Sequence, residues 1–166
     1  IAFGHLKHHT VNKDNPFMPV GIGYIASYVS AFLGKDKVDV RLFTDPQEML
    51  DDIEAWKPDV VALANYCWTE ELSCLVFRHA KKTNQDVLCV MGGPNFPSEP
   101  HESKDFLKAR NEIDFYVHLE GEIAFAHLMD SFRTCEMKIK PLKNKIHDGV
   151  MHIDPTTEEL VTGKTL

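Results

Sequence analysis

The sequence predicts an α/β domain built on a mainly parallel sheet, and three observations carry that expectation. Short apolar runs alternate with stretches of helical periodicity along the chain, the order that produces strand–helix–strand units. Residues 87–96 (VLCVMGGPNF) form an apolar run that stops at a Gly-Gly-Pro turn, as a buried parallel strand does where it surfaces at a ligand-binding edge. Residues 114–123 (DFYVHLEGEI) then repeat the plan of strand, glycine and helix. Paired glycines at 92 and 93 admit positive φ and remove the Cβ atoms that would hold a bulky ligand away from the backbone.

Taken in order, residues 1–6 read as the end of a first strand, and residues 8–15 as a polar loop. Pro19 opens a helix with Ile22, Ile25, Val29, Phe32 and Leu33 on one face, and Gly34 ends it. Residues 38–43 (VDVRLF) alternate like a strand with one wetter face, which places them near a sheet edge. Asp45, Pro46 and Glu48 mark a helix start, with Met49, Ile53 and Trp56 on its buried side. Residues 59–64 (DVVALA) are the most apolar strand and therefore the expected centre of the sheet. Thr69 is the expected cap of the next helix, Glu70 and Glu71 suit its positive end, and Leu72, Leu75, Val76, His79 and Ala80 form its stripe. Strands follow at residues 87–91 and 114–117, separated by a loop with room for a short, poorly patterned helix over residues 97–110. A last helix over residues 123–132 buries Phe125, Leu128 and Phe132. Residues 138–145 are basic and polar, and residues 150–153 with 160–161 read as a small hairpin around Pro155 and Thr156.

The chain has 166 residues, 43% of them hydrophobic and 26% charged, which is the make-up of one globular domain with a real core. A net charge of -7, with no basic run longer than Lys81-Lys82, argues against nucleic acid or an anionic membrane as partner. No apolar stretch is long enough to span a bilayer or has the layout of a secretory signal. Cys67, Cys74, Cys89 and Cys135 form no Cys-x-x-Cys pair and no zinc-type spacing, so reduced thiols in a cytoplasmic protein are expected. Ile1 opens directly on a strand, and the chain reads as a piece cut from something longer.

In an open parallel sheet, ligands gather beyond the carboxyl ends of the strands, near the point where strand order reverses. Residues 5–19, 65–69, 92–96 and 118–122 are expected to converge there. Asn65, Tyr66 and Trp68 are as consistent with flanking a flat ring system as with ordinary rim packing. His5, His8 and His9 lack acidic or cysteine partners nearby and read as loop histidines, not metal ligands. His79 reads as a core or boundary histidine. Glu120 and Glu122 are favoured as electrostatic partners of a helix N-terminus over acid–base catalysts. Other functions of the flavodoxin-like fold lack their signatures. There is no aspartate at the end of the central strand, no Ser/Thr-rich phosphate loop, no G-x-G-x-x-G and no Ser-His-Asp arrangement.

Four segments occur in an order and spacing that resemble a known family: residues 19–28 (PVGIGYIASY), 57–61 (KPDVV), 91–95 (MGGPN) and 114–122 (DFYVHLEGE). Together they resemble the N-terminal cobalamin-binding domain of cobalamin-dependent radical S-adenosylmethionine (SAM) enzymes. The likeness runs over nearly the whole chain, and residues 147–152 with 160–163 resemble the segment leading into the radical SAM barrel. The resemblance implies a Rossmann-like three-layer sandwich with a five-stranded mainly parallel sheet over residues 1–137, and a connector hairpin over residues 138–166.

It also implies a cobalamin on the carboxyl edge. The nucleotide tail would pass Gly92, Gly93, Pro94 and Asn95 on one side and Glu120, Gly121 and Glu122 on the other. The ring would lie over Asn65, Tyr66, Cys67 and Trp68 and over the loop after the first strand. No aspartate has a histidine two positions on, so the D-x-H-x-x-G motif that supplies a cobalt-binding histidine is missing. The C-x-x-x-C-x-x-C cluster motif is missing as well. SAM, a [4Fe-4S] cluster and catalysis of the methyltransferase type would therefore belong to a radical SAM domain elsewhere in a parent chain. Two other readings compete: a degenerate docking domain of the same fold without cobalamin, and a flavodoxin-like protein for another nucleotide cofactor. A deep apolar slot beside Gly92 and Gly121 would favour the first reading. Bulky side chains filling it would favour the second, and a phosphate held in the first loop the third.

Overall fold

The computed structural model describes residues 1–7 and 18–166. His8, His9 and the rest of the expected first loop lie outside the described residues. Strands β1 (Ala2–Gly4), β2 (Arg41–Phe43), β3 (Val60–Ala64), β4 (Leu88–Gly92) and β5 (Phe115–Val117) pair in parallel. Between them come helices α1 (Val20–Leu33), α2 (Pro46–Trp56), α3 (Glu70–Thr83) and α4 (Pro100–Lys108), followed by α5 (Gly121–Thr134) and α6 (Ile139–Lys143). The sheet order is β2-β1-β3-β4-β5-β6-β7, so the chain leaves β1 in both directions and the switch point lies between β1 and β3.

Among the described residues the sheet has seven strands where five were expected. β6 (Val150–Ile153) pairs antiparallel with β5, matching Tyr116 to Met151, and β7 (Leu160–Thr162) pairs antiparallel with β6. The expected hairpin thus exists, but it extends the main sheet by satisfying the open edge of β5. The basic stretch before it also holds the short helix α6, whose Leu142 is fully buried.

Local signals explain most boundaries. The Asp45 carboxylate accepts from the amides of Gln47 (2.8 Å) and Glu48 (3.0 Å), and Pro46 opens α2 as the sequence indicates. Gly34, with φ of 97°, ends α1. Thr69 precedes α3, but its side chain makes no cap bond and turns back to donate to the Tyr66 carbonyl (3.3 Å). The buried stripe of α3 is Ser73, Val76, Phe77 and Ala80, with Cys74 beside it. Leu75 is instead 56% exposed, and His79 lies at the α2–α3 boundary against Glu54 (3.2 Å). Phe32 is also outside the core, turned to the His127 ring of α5. Residues 100–108 form a full helix because Ser103 and Leu107, one turn apart, supply a buried face too small to stand out in the sequence.

Two cores result. On one face α1 and α5 cover Phe3, Ala62, Val90 and Val117; on the other α2, α3 and α4 cover Ala2, Val61, Leu63, Cys89, Met91 and Tyr116. Strand alternation sends neighbouring residues to opposite faces.

The C-terminal segment is fastened by two buried histidines. His147 Nε2 lies 3.0 Å from the Leu142 carbonyl and His152 Nε2 lies 2.9 Å from the Lys143 carbonyl. A carbonyl only accepts, so both Nε2 atoms carry hydrogen. Both rings also pack on Phe115, at 5.7 and 4.9 Å. Burial, opposed in part by these carbonyl bonds, pushes both imidazoles below their ordinary value of 6.5, and Lys143 and Lys145 nearby act in the same direction. The unfolded chain therefore takes up these protons first as pH falls. Their contribution to stability is complete above pH 6.5 and is lost as pH drops below it towards the depressed folded values. The urea midpoint is expected to fall between pH 7.5 and pH 5. His152→Gln keeps an N–H donor without a titrating group, so it should flatten part of that slope.

Candidate functional site

Beyond the carboxyl ends of β1, β3, β4 and β5, a cavity of about 280 Å³ opens between the sheet and helices α1 and α5. Phe3, Ala62, Ala64, Val90 and Val117 form its floor because alternation turns them to this face. Ile22 and Ile25 of α1 and Phe125 of α5 form its walls. Gly92, Gly93 and Gly121 line the opening, and the polar side chains there are His5, Tyr66, Glu120 and Glu122. At Gly121 a Cβ would stand 2.9 Å from Ile25 Cδ1, so glycine lets α5 begin close against α1.

The rim between β3 and β4 is held from the opposite face. Tyr116, fully buried, donates from its hydroxyl to the Gly93 carbonyl (2.8 Å), and burial keeps that phenol protonated by raising it well above its ordinary range. Phe96 stacks on the Tyr116 ring at 3.8 Å, and Phe106 meets both rings nearly edge-on. The Asn65 amide N–H donates to the Gly92 carbonyl (2.6 Å), and its side-chain amide donates to the Asn95 carbonyl. Asn95 Nδ2 in turn donates to Glu70 (2.6 Å), whose other oxygen pairs with Arg110. Glu70, expected to serve the helix end alone, thus joins three segments.

Sequence reasoning is met unevenly here. Tyr66, Gly92, Gly93, Glu120, Gly121 and Glu122 line the cavity. Asn65 does not flank it: the residue is fully buried and, with Asn95, braces the loops. Pro94 and Cys67 are exposed beside the rim without lining it. Trp68 is 63% exposed and stacks on Tyr66 at 5.1 Å and 16°, while Tyr66 touches His5 at 4.9 Å. Burial, aided by Lys7, lowers the His5 imidazole below its ordinary value, which favours a neutral ring near pH 7. Among the described residues no group of three or more His, Cys, Asp or Glu could hold a metal ion.

The sequence points to an apolar slot and to the segment that holds Leu119, but it does not single out the side chains of the wall. The wall was legible in principle, since Phe3, Ala62, Ala64 and Val90 share one strand parity, and Ile22 and Ile25 share one helix face. For Leu119 the sequence gives the segment but not the backbone conformation, which is not written in its residue type.

The model of the B12 binding domain family matches residues 10–129, and the chain belongs to that family. The cobalamin-dependent radical SAM methyltransferase TokK of Streptomyces tokunonensis is 33% identical over 122 residues, covering 70% of this chain and 17% of that protein. The 2-(S-pantetheinyl)-carbapenam-3-carboxylate methyltransferase of Streptantibioticus cattleyicolor is 31% identical over 124 residues, 69% of this chain and again 17% of the relative. In fold, the chain is similar to a solved structure of the cobalamin-dependent S-adenosylmethionine radical enzyme OxsB with aqua-cobalamin and S-adenosylmethionine bound. The TM-score is 0.70 at 14% identity, over 99% of this chain and 22% of that one. The chain therefore spans about a fifth of these proteins.

Gly93 is the residue on which the rim's geometry turns. Its φ is 131°, and a Cβ there would fall 2.6 Å from the Asn65 carbonyl oxygen, a backbone atom with no room to retreat. Gly93→Ala should destabilise the chain by about 2 kcal/mol or more through combined strain and clash, read as a lower urea midpoint. Tyr116→Phe leaves the Gly93 carbonyl without its donor, and its expected cost is about 1–3 kcal/mol.

Proposed function

We propose that the chain holds cobalamin as the carrier module of a larger radical SAM enzyme of the methyltransferase type. The observation that carries this reading is the open apolar cavity beside Gly92 and Gly121 at the switch point. Its chemistry suits a flat aromatic base such as the one in the nucleotide tail of cobalamin. Buried aliphatic and phenyl groups line it, and its few polar side chains, His5, Tyr66, Glu120 and Glu122, stand at the opening. A degenerate docking domain would have this space filled by side chains. The membership in the B12 binding domain family and the likeness to radical SAM methyltransferases support the same choice.

On this reading Gly92, Gly93 and Pro94 border one side of the tail, and Glu120, Gly121 and Glu122 the other. The stacked pair Tyr66 and Trp68 offers an apolar platform to the ring, Cys67 lies beside it, and Asn65 with Asn95 keeps the platform and the glycine rim in register. Bound cobalamin supplies a cobalt-bound methyl group. The protein's own part is to bind, to orient and to shield. SAM, the [4Fe-4S] cluster and catalysis fall to a radical SAM domain of the parent protein, with residues 138–166 on the path towards it. Nucleic acid and membrane have no place in this scheme. Among the described residues no helix is long and apolar enough to cross a membrane, and the four free cysteines fit a reducing cytoplasm.

Titration of the purified chain with hydroxocobalamin should show saturable binding and a base-off spectrum, because the tail base occupies the cavity. Ala64→Leu, which pushes a larger side chain into the floor, should weaken binding by roughly tenfold or more, about 1.4 kcal/mol. If neither the chain nor a longer protein carrying the barrel and its cluster binds, the docking reading replaces this one.

A further inference from the structure

Leu119 carries two costs that its own packing does not offset. Its φ is 60°, a left-handed conformation that a bulky side chain adopts under strain. Its side chain is also 64% exposed although apolar, and it lines the cavity. The other described non-glycine residues with positive φ are Lys57, Glu136, Met137 and Glu158, which lie after helices or in the C-terminal hairpin. None of them lines the cavity.

The local path explains the dihedral but not the residue. The His118 amide donates to the Gly149 carbonyl (2.9 Å) and holds the end of β5 against the C-terminal segment. Gly121 must pack against Ile25 at the start of α5. Two residues, Leu119 and Glu120, are left to turn the chain from strand to helix. Glycine or asparagine would make that turn with less strain. The turn alone therefore does not account for leucine at this place.

We propose that Leu119 is a specificity-determining contact for the nucleotide tail of the corrinoid, closing over the flat base as it enters the cavity. This rests on the cobalamin reading of the site and adds to it the residue that distinguishes a complete cobalamin from a tail-less corrinoid. The strain holds the isobutyl group at the cavity mouth, and binding covers apolar surface that is otherwise in water.

The test measures binding of hydroxocobalamin and of aquacobinamide, which lacks the nucleotide tail, to the wild type, Leu119→Ala and Leu119→Gly, together with the Tm of each unliganded protein. Both variants are expected to bind hydroxocobalamin roughly tenfold more weakly. Their affinity for aquacobinamide should stay that of the wild type. Leu119→Gly should melt about 2–4 °C above Leu119→Ala, the reverse of the order at an ordinary position, because only glycine is relaxed at this φ. Equal losses for the two corrinoids, no loss for either, or an alanine variant as stable as the glycine one would each overturn the proposal while leaving the cobalamin site standing. A wild-type protein that binds neither corrinoid brings down the site reading and this inference with it.

Discussion

The cavity stays open because its glycine rim is held from behind. A loop with two consecutive glycines at the end of a strand has many conformations available, and most of them would fall into the space between the sheet and α1. What prevents this is the Tyr116 hydroxyl on the Gly93 carbonyl, joined by Asn65, Asn95, Glu70 and Arg110 in one chain of contacts. The network lies mostly out of water, where a hydrogen bond is strengthened and a missing partner is costly. It ties the ends of β3 and β4 to the starts of α3 and β5 on the face opposite the cavity. The polar restraint and the apolar opening can then coexist within a few residues of each other.

That arrangement divides labour between the two faces of the sheet. The α2–α3–α4 face is filled to the carboxyl edge by Phe96, Phe106 and Tyr116. The α1–α5 face is packed lower down, where Val29, Leu128 and Phe132 meet, and opens near the edge. Helix α1 has no charged residue along its length, and Tyr24, Tyr28 and Phe32 on its outer side are exposed. Its helical form thus draws on packing against α5 and the sheet, with no support from surface ion pairs.

The sequence was most legible where local chemistry is decisive. Asp45 and Pro46 marked a helix start whose bonds are present, and the run at residues 60–64 became the middle of the five parallel strands. Legibility fell where tertiary contact decides. The stripe of α3 is shifted because Phe77 packs inward and Leu75 faces out, a choice that helical spacing alone leaves open. The hairpin was visible as a hairpin, yet nothing in its residues announced that β5 would take it as a neighbour. Of the candidate site, the glycines declared themselves because few other roles suit a Gly-Gly-Pro turn after an apolar strand. Asn65 and Asn95 brace the loops, a role that a sequence does not distinguish from meeting a ligand.

The same distinction separates residues that make the site from those that use it. Asn65, Asn95, Tyr116 and Gly93 are explained by the fold itself: each satisfies a partner or avoids a clash. Strained, exposed Leu119 is not explained in that way. Folding alone would favour replacing it, since an isobutyl group in water forgoes the burial that stabilises other apolar side chains. It stands after β5, at the mouth of the apolar cavity. A cost that folding leaves unmet, set at the rim of an apolar slot, is the kind that binding can offset.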